Sequence, residues 1–124
     1  FVTRCSAVAI EADEAVRSLR DVVTLIAEDA CDSFNLKCTV LGGLGRTFAA
    51  AQICEAAGRA YRIGTAYGPR LVAAQCLHLA VALPSFHYPV EFAEFDHLLD
   101  DPFSGLEAAD GRLELLEGVG CGLP

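Results

Sequence analysis

Residues 34–43 read Phe34-Asn35-Leu36-Lys37-Cys38-Thr39-Val40-Leu41-Gly42-Gly43. A short apolar run, Phe34 to Cys38, holds Lys37, the only lysine of the chain, near its end, and two glycines then turn the backbone. A helical pattern follows from about Arg46 to Ala57, with Thr47 near its start and Gly58 placed to end it in the left-handed conformation that glycine tolerates. Strand, polar strand end, turn and helix make one βα unit.

The same unit recurs on both sides. Upstream, Val8-Ala9-Ile10 runs into Glu11-Ala12-Asp13-Glu14, and Leu19, Val22, Val23 and Ile26 then fall on one helical face. Ser18 followed by Asp21 resembles a capping box. Downstream, Ala60 to Gly64 predicts a third strand, and Pro69 to Leu83 a helix that stops at Pro84. A fourth strand is expected at Tyr88 to Phe92, with a weaker helical stretch over Glu94 to Leu99. The tail Gly111-Arg112-Leu113-Glu114-Leu115 reads as an extended edge segment. The strand ends Asp13, Lys37, Thr65 and Glu91 are separated by 24, 28 and 26 residues, about one βα unit each. Strands alternating with helices pair in parallel through right-handed crossovers. The fold class is therefore α/β: about four βα units plus a C-terminal tail, as in half of a TIM-type barrel. A complete barrel takes about 250 residues, and this chain has 124. A flavodoxin-like open sheet would use the same four units, with its ligand at a strand-order switch point instead of around Lys37.

Composition narrows the function. Hydrophobic residues make up 53%, which suits strands buried on both faces. The uncharged stretch Leu71 to Val90 is interrupted by Gln75, His78, Pro84, His87 and Pro89, and its apolar part is far short of the roughly 20 residues that span a bilayer. Phe1 to Ile10 shows no signal-peptide pattern. No membrane partner is expected, and the location is expected to be cytoplasmic. A net charge of −8 without a basic cluster excludes a nucleic-acid partner. The six cysteines follow no disulfide or zinc spacing and read as reduced, mostly buried thiols.

The strand ends carry the chemistry, because the carboxyl ends of barrel strands open onto one face. Lys37, desolvated in a barrel mouth, would have a lowered pKa and serve as general acid or base; it reads equally as a strand-end lysine reaching solvent or pairing with Asp32. Asp13 is a carboxylate suited to a divalent cation, although Asp13 and Glu14 also read as the start of a solvated loop. His78 lies on an apolar helix, where packing is the simpler role. The Gly42-Gly43-Leu44-Gly45 turn lacks the Lys-Ser/Thr ending of a phosphate loop.

Taken together, Ala12-Asp13-Glu14, Phe34-Asn35-Leu36-Lys37 and Gly42-Gly43-Leu44 resemble the fifth- and sixth-strand pattern of the enolase superfamily. The branch resembled contains muconate cycloisomerases and dipeptide epimerases, and the match implies the C-terminal half of their TIM-type barrel, strands five to eight. Glu55-Ala56-Ala57-Gly58, Ile63-Gly64-Thr65, Leu77-His78-Leu79-Ala80, and the tail from Asp110-Gly111-Arg112 through Gly118-Val119-Gly120 are similar to the segments that follow. The resemblance implies an isomerase that takes the α-proton from a small carboxylate substrate through an enolate, with Mg²⁺ as cofactor. Asp13 would be a metal ligand and Lys37 the acid/base catalyst. Glu91 would be a second catalytic residue; Thr65, Glu94 and Asp96 would contact substrate, the latter two resembling the acids that hold an α-ammonium group in dipeptide epimerases. Racemisation or epimerisation comes first, with cycloisomerisation or dehydration behind it. Ile63-Gly64-Thr65-Ala66 lacks the histidine of the mandelate-racemase branch.

The family pattern also contains a lysine pair on the second strand, metal carboxylates on the third and fourth, and an N-terminal capping domain; none has a counterpart here. A half-barrel would also leave two open strand edges and an apolar inner face. The chain is therefore expected to be part of a longer enzyme, or to close its barrel with a partner half or by self-association as a homo-oligomer. The competing reading is a non-catalytic half-barrel serving as a structural or interaction module.

Overall fold

In a computed structural model, described here for residues 2–84 and 87–124, a short helix, α1 (Val2–Cys5), precedes three βα units. These are β1 (Glu11–Ala12) with α2 (Leu19–Ala27), β2 (Ser33–Lys37) with α3 (Cys38–Leu41) and α4 (Leu44–Ala56), and β3 (Ala60–Gly64) with α5 (Arg70–Ala82). A 3-10 turn, Ala93–His97, follows. The strands pair in parallel in the order β1-β2-β3, with Ala12 beside Phe34 and Lys37 beside Gly64. Spatial order follows chain order, as in a barrel wall.

Local chemistry explains most element ends. Ser18 caps α2 by accepting the Asp21 backbone N–H, and Gly58 takes a φ of 65° just beyond α4. β1 lies slightly later than expected, at Glu11–Ala12 instead of Val8–Ile10, because Ile10 is engaged by the next unit. Asp32 Oδ2 accepts its N–H at 2.7 Å, and its carbonyl accepts the backbone N–H of Asp32 at 2.8 Å. Thr39 to Leu41, between the expected strand and the glycine turn, belong with Cys38 to α3.

The fourth strand and the tail depart from expectation. The fourth strand, Tyr88 to Phe92, is reduced to a single parallel bridge between Gly64 and Glu91. Pro89 has no N–H to continue the ladder, and Phe92 enters the 3-10 turn. The tail is not an extended strand. Ala109 and Arg112 close a two-residue turn in which Asp110 and Gly111 both have positive φ.

Phe34, Leu36, Tyr61 and Ile63 project from one face of the sheet onto α4 and α5 and are fully buried. Ala50, Ala51 and Cys54 of α4, and Ala73, Ala74 and Cys76 of α5, complete this layer. Their small side chains let the helices approach the sheet closely. Each large apolar side chain buried here contributes about 1.5–3 kcal/mol. The opposite face, expected to be apolar, is polar. Alternation brings Ser33, Asn35 and Lys37 to it from β2. Asp13 meets Lys37 there, Arg62 meets Glu11 at 2.5 Å, and Asn35 meets Glu91 at 2.6 Å. The apolar excess of the composition therefore sits between sheet and helices instead of on both sheet faces.

Candidate active site at the strand ends

The carboxyl ends of the strands and the turns beyond them enclose a cavity of about 490 Å³. Asp13, Glu14, Lys37, Glu91 and Glu94 line it, with Arg17 and Tyr67 at its wall. A larger hollow, about 670 Å³, lies within the tail around Gly105, Leu106, Asp110 and Arg112. None of its lining residues comes from a strand end, so the smaller cavity is the candidate site.

Lys37 is the centre of the cavity's charge. Its Nζ lies 2.7 Å from Asp13 Oδ1 and 3.4 Å from Glu14 Oε1, and its side chain is only 15% exposed. Partial burial pushes its pKa down, but the hydrogen bond and charge of Asp13, helped by the charges of Glu91 and Glu14, together outweigh that effect and raise it. The lowered lysine pKa expected from the sequence is thus reversed, because desolvation arrives together with three carboxylates. Lys37 is a firmly held ammonium here, and its partner is Asp13, not Asp32.

Glu91 enters from the far edge. Its backbone is fixed by the bridge, with Glu91 N–H to Ile63 O at 3.1 Å and Thr65 N–H to Glu91 O at 3.0 Å. Asn35 Nδ2 donates to Glu91 Oε2 at 2.6 Å. Thr65 does not line the cavity; it is 2% exposed, and its hydroxyl donates to Glu94 Oε2 at 2.6 Å. It therefore holds a cavity residue. Asp96 is not brought to the site. Its carboxylate is 55% exposed and faces Arg70 at 3.7 Å, whereas Glu94 lines the cavity.

The histidines stay outside. His97 packs edge-on against Tyr67 and His87 against Tyr61, and His78 lies on α5. Asn35 and Arg17 are support and cavity residues that the sequence left unassigned, and Glu14, read there as the start of a solvated loop, lines the cavity. For Asn35 a signal existed: a polar residue between Phe34 and Leu36, two positions before Lys37 and hence on the same strand face.

The donor set does not by itself make a metal centre. Among the described residues no group of three His, Cys, Asp or Glu side chains is placed to hold an ion. Asp13 offers one carboxylate, and Lys37 occupies it. Among the described helices none is long and apolar enough to cross a membrane.

Known proteins are similar to this chain in sequence and fold. The chloromuconate cycloisomerase of Cupriavidus necator is 35% identical over 124 residues, covering 98% of this chain and 33% of that protein. The L-Lys-D/L-Arg epimerase of Methylococcus capsulatus is 36% identical over 115 residues, covering 92% of this chain and 32% of that protein. The crystal structure of muconate cycloisomerase from Pseudomonas fluorescens superposes with a TM-score of 0.93 at 27% identity, over 99% of this chain and 34% of that one. The chain thus spans about a third of the length of the relatives it matches. These relatives are enolase-superfamily barrel proteins, so the three βα units are a segment of such a barrel. Residues 2–124 match the family model described as enolase C-terminal domain-like, and the chain belongs to that family.

Proposed function

We propose that this chain supplies one side of the active site of an enolase-superfamily isomerase that exchanges the α-proton of a carboxylate substrate. The observation that carries this is the convergence of Lys37 and Glu91, from opposite edges of β3, on one cavity whose floor is polar. Lys37 holds its proton while Asp13 faces it, so it is set to deliver a proton to an enolate and to stabilise the developing charge. When Asp13 is engaged elsewhere, the attraction that keeps Lys37 charged weakens, and desolvation then favours the neutral amine, a base.

Family members are generally Mg²⁺-dependent. Asp13 offers a single ligand, so the remaining ligands of a Mg²⁺ site would lie outside these residues. A bound ion would supply Lewis-acid stabilisation of the substrate carboxylate. The remaining strands, from a longer chain or a second copy, would cover the polar inner face.

Four carboxylates against two cations line the cavity, namely Asp13, Glu14, Glu91 and Glu94 against Lys37 and Arg17. That balance favours a substrate carrying an ammonium group over a dicarboxylate. Racemisation or epimerisation of an amino-acid derivative is therefore the first reading, and cycloisomerisation the second.

Incubating the completed barrel, in which this chain is joined by the strands that supply the other side of the site, with Mg²⁺ in D₂O and with L-Lys-L-Arg and cis,cis-muconate as separate substrates, tests this. Deuterium incorporation at the α-carbon of the dipeptide, abolished by Lys37→Ala, is the expected result. Exchange that survives Lys37→Ala would remove Lys37 from the chemistry.

A further inference from the structure

Glu91 hangs from the sheet by one bridge, after which the chain leaves the ladder for the 3-10 turn. That anchor fixes its backbone and leaves its carboxylate free to rotate. One side chain restricts it. Asn35, 1% exposed in the middle of β2, donates Nδ2 to Glu91 Oε2 at 2.6 Å across 56 residues of sequence. The other end of the same amide, Oδ1, is buried without a hydrogen-bond partner among the described residues. Native interiors rarely tolerate such an atom. An amide buried for its donor alone marks the donor as the part being used.

Gly64 makes the meeting possible. A β-carbon at this position would stand 2.5 Å from Asn35 Oδ1, 3.1 Å from Glu91 Oε2 and 3.2 Å from Lys37 Cγ. Its backbone lies outside the left-handed region, so the position uses the missing side chain and not glycine's conformational freedom. Residues from β2, the end of β3 and the bridge thus share the volume of one absent methyl group.

We propose that Asn35 is a positioning residue that orients the Glu91 carboxylate toward the cavity beside Lys37, through the gap left at Gly64. This rests on Glu91 belonging to the reacting set as proposed above. The bland alternative is a strap that only ties residue 91 to the sheet. The two differ in what is lost without the amide. A strap gives up stability alone, whereas a positioning contact gives up the orientation of one carboxylate and, with it, the rate of the chemical step.

The test uses the completed barrel that contains this chain, labelled with ¹³C at the glutamate side-chain carboxyls, with Asn35→Ala, the near-isosteric Asn35→Asp, and Gly64→Ala, which removes no functional group. In all three, the Glu91 carboxyl resonance is expected to move or broaden as the fixed orientation is lost, while the other glutamates keep theirs. With whichever substrate exchanges its α-proton, kcat is expected to fall about a hundredfold, the loss typical of a misplaced catalytic group, while KM holds. An unchanged Glu91 resonance in folded Asn35→Ala and Asn35→Asp overturns the proposal, as does a raised KM with an intact kcat. If the unsubstituted protein turns over neither substrate, the functional reading fails separately, and the Glu91 resonance still decides whether Asn35 orients that carboxylate.

Discussion

Lys37 Nζ lies 2.7 Å from Asp13 Oδ1, so the charged groups that end two neighbouring strands neutralise one another across the sheet. The pair accounts for the raised Lys37 pKa and for the state in which the cavity rests. It also makes Asp13 the residue whose engagement elsewhere changes what Lys37 can do.

Removing the lysine leaves a carboxylate only 31% exposed without its cation. Lys37→Met is expected to destabilise the chain by about 1–2 kcal/mol, below the cost of breaking a fully buried pair because Asp13 keeps some water. Urea denaturation at neutral pH measures it. Asp13→Asn in the Lys37→Met background should then cost little.

The pH dependence of that stability has a definite sign. The folded-state pKa of Lys37 lies above its ordinary value of 10.5, so the pair's contribution is complete below that pH and is lost as pH rises through the folded value. The stability difference between the unsubstituted chain and Lys37→Met should stay level from pH 7 to 10 and shrink above that range. A difference that shrank between pH 7 and 9 would mean a lysine with a lowered pKa.

Millimolar Mg²⁺ is not expected to shift the melting temperature of these 124 residues on their own, and EDTA is expected to have no effect. One carboxylate already held by an ammonium is a poor site for a cation that dehydrates reluctantly. A thermal-shift titration decides it, and a rise in melting temperature would show that Asp13 finds further ligands within this chain.

Arg70 anchors the tail. Its Nε donates to Leu106 O at 3.0 Å, its guanidinium stacks over Phe95 with a centroid distance of 4.8 Å, and Nη1 meets Asp101 at 3.2 Å. Arg70→Ala is expected to cost about 2 kcal/mol and to make residues 100–124 the first point of cleavage in limited proteolysis. Burial pushes the Asp101 pKa up, but the backbone N–H groups of Arg70 and Phe103 and the Arg70 side chain outweigh it and hold the pKa below 3.8. The anchor is thus intact above pH 3.8 and weakens as pH falls through the lower folded value.

Thiol chemistry checks the helix–sheet layer. Cys5 is exposed and Cys121 partly so, whereas Cys31, Cys38, Cys54 and Cys76 are buried. Burial raises the Cys54 thiol to about 12. Two of the six thiols should react quickly with a disulfide reagent at pH 8, and all six after denaturation. Fast reaction of a third in the native state would mean that the packing around one of the four buried cysteines opens.

The fold was legible because each unit carried its own punctuation. Ser18 before Leu19, Gly58 after the alanines of α4, and Pro84 after α5 mark helix ends by local chemistry, and β3 falls exactly at Ala60–Gly64 as its apolar pattern predicts. The segment at 88–92 was not legible, because its apolar content suggests a strand whereas Pro89 limits what the ladder can accept. Nor was the inner face, because a composition counts apolar residues without saying which face they occupy.

The sequence by itself determined the alternation of strands and helices, the parallel sheet, and the place of Asp13, Lys37 and Thr65 at strand ends, since period and spacing are local properties of a chain. Only the tertiary structure decided which of these meet. It joined Lys37 to Asp13, put Glu94 behind Thr65, sent Asp96 to Arg70, and brought Asn35 to Glu91 through the gap at Gly64. Those pairings depend on strand register and on the volume left by a neighbour's side chain, which no single segment encodes.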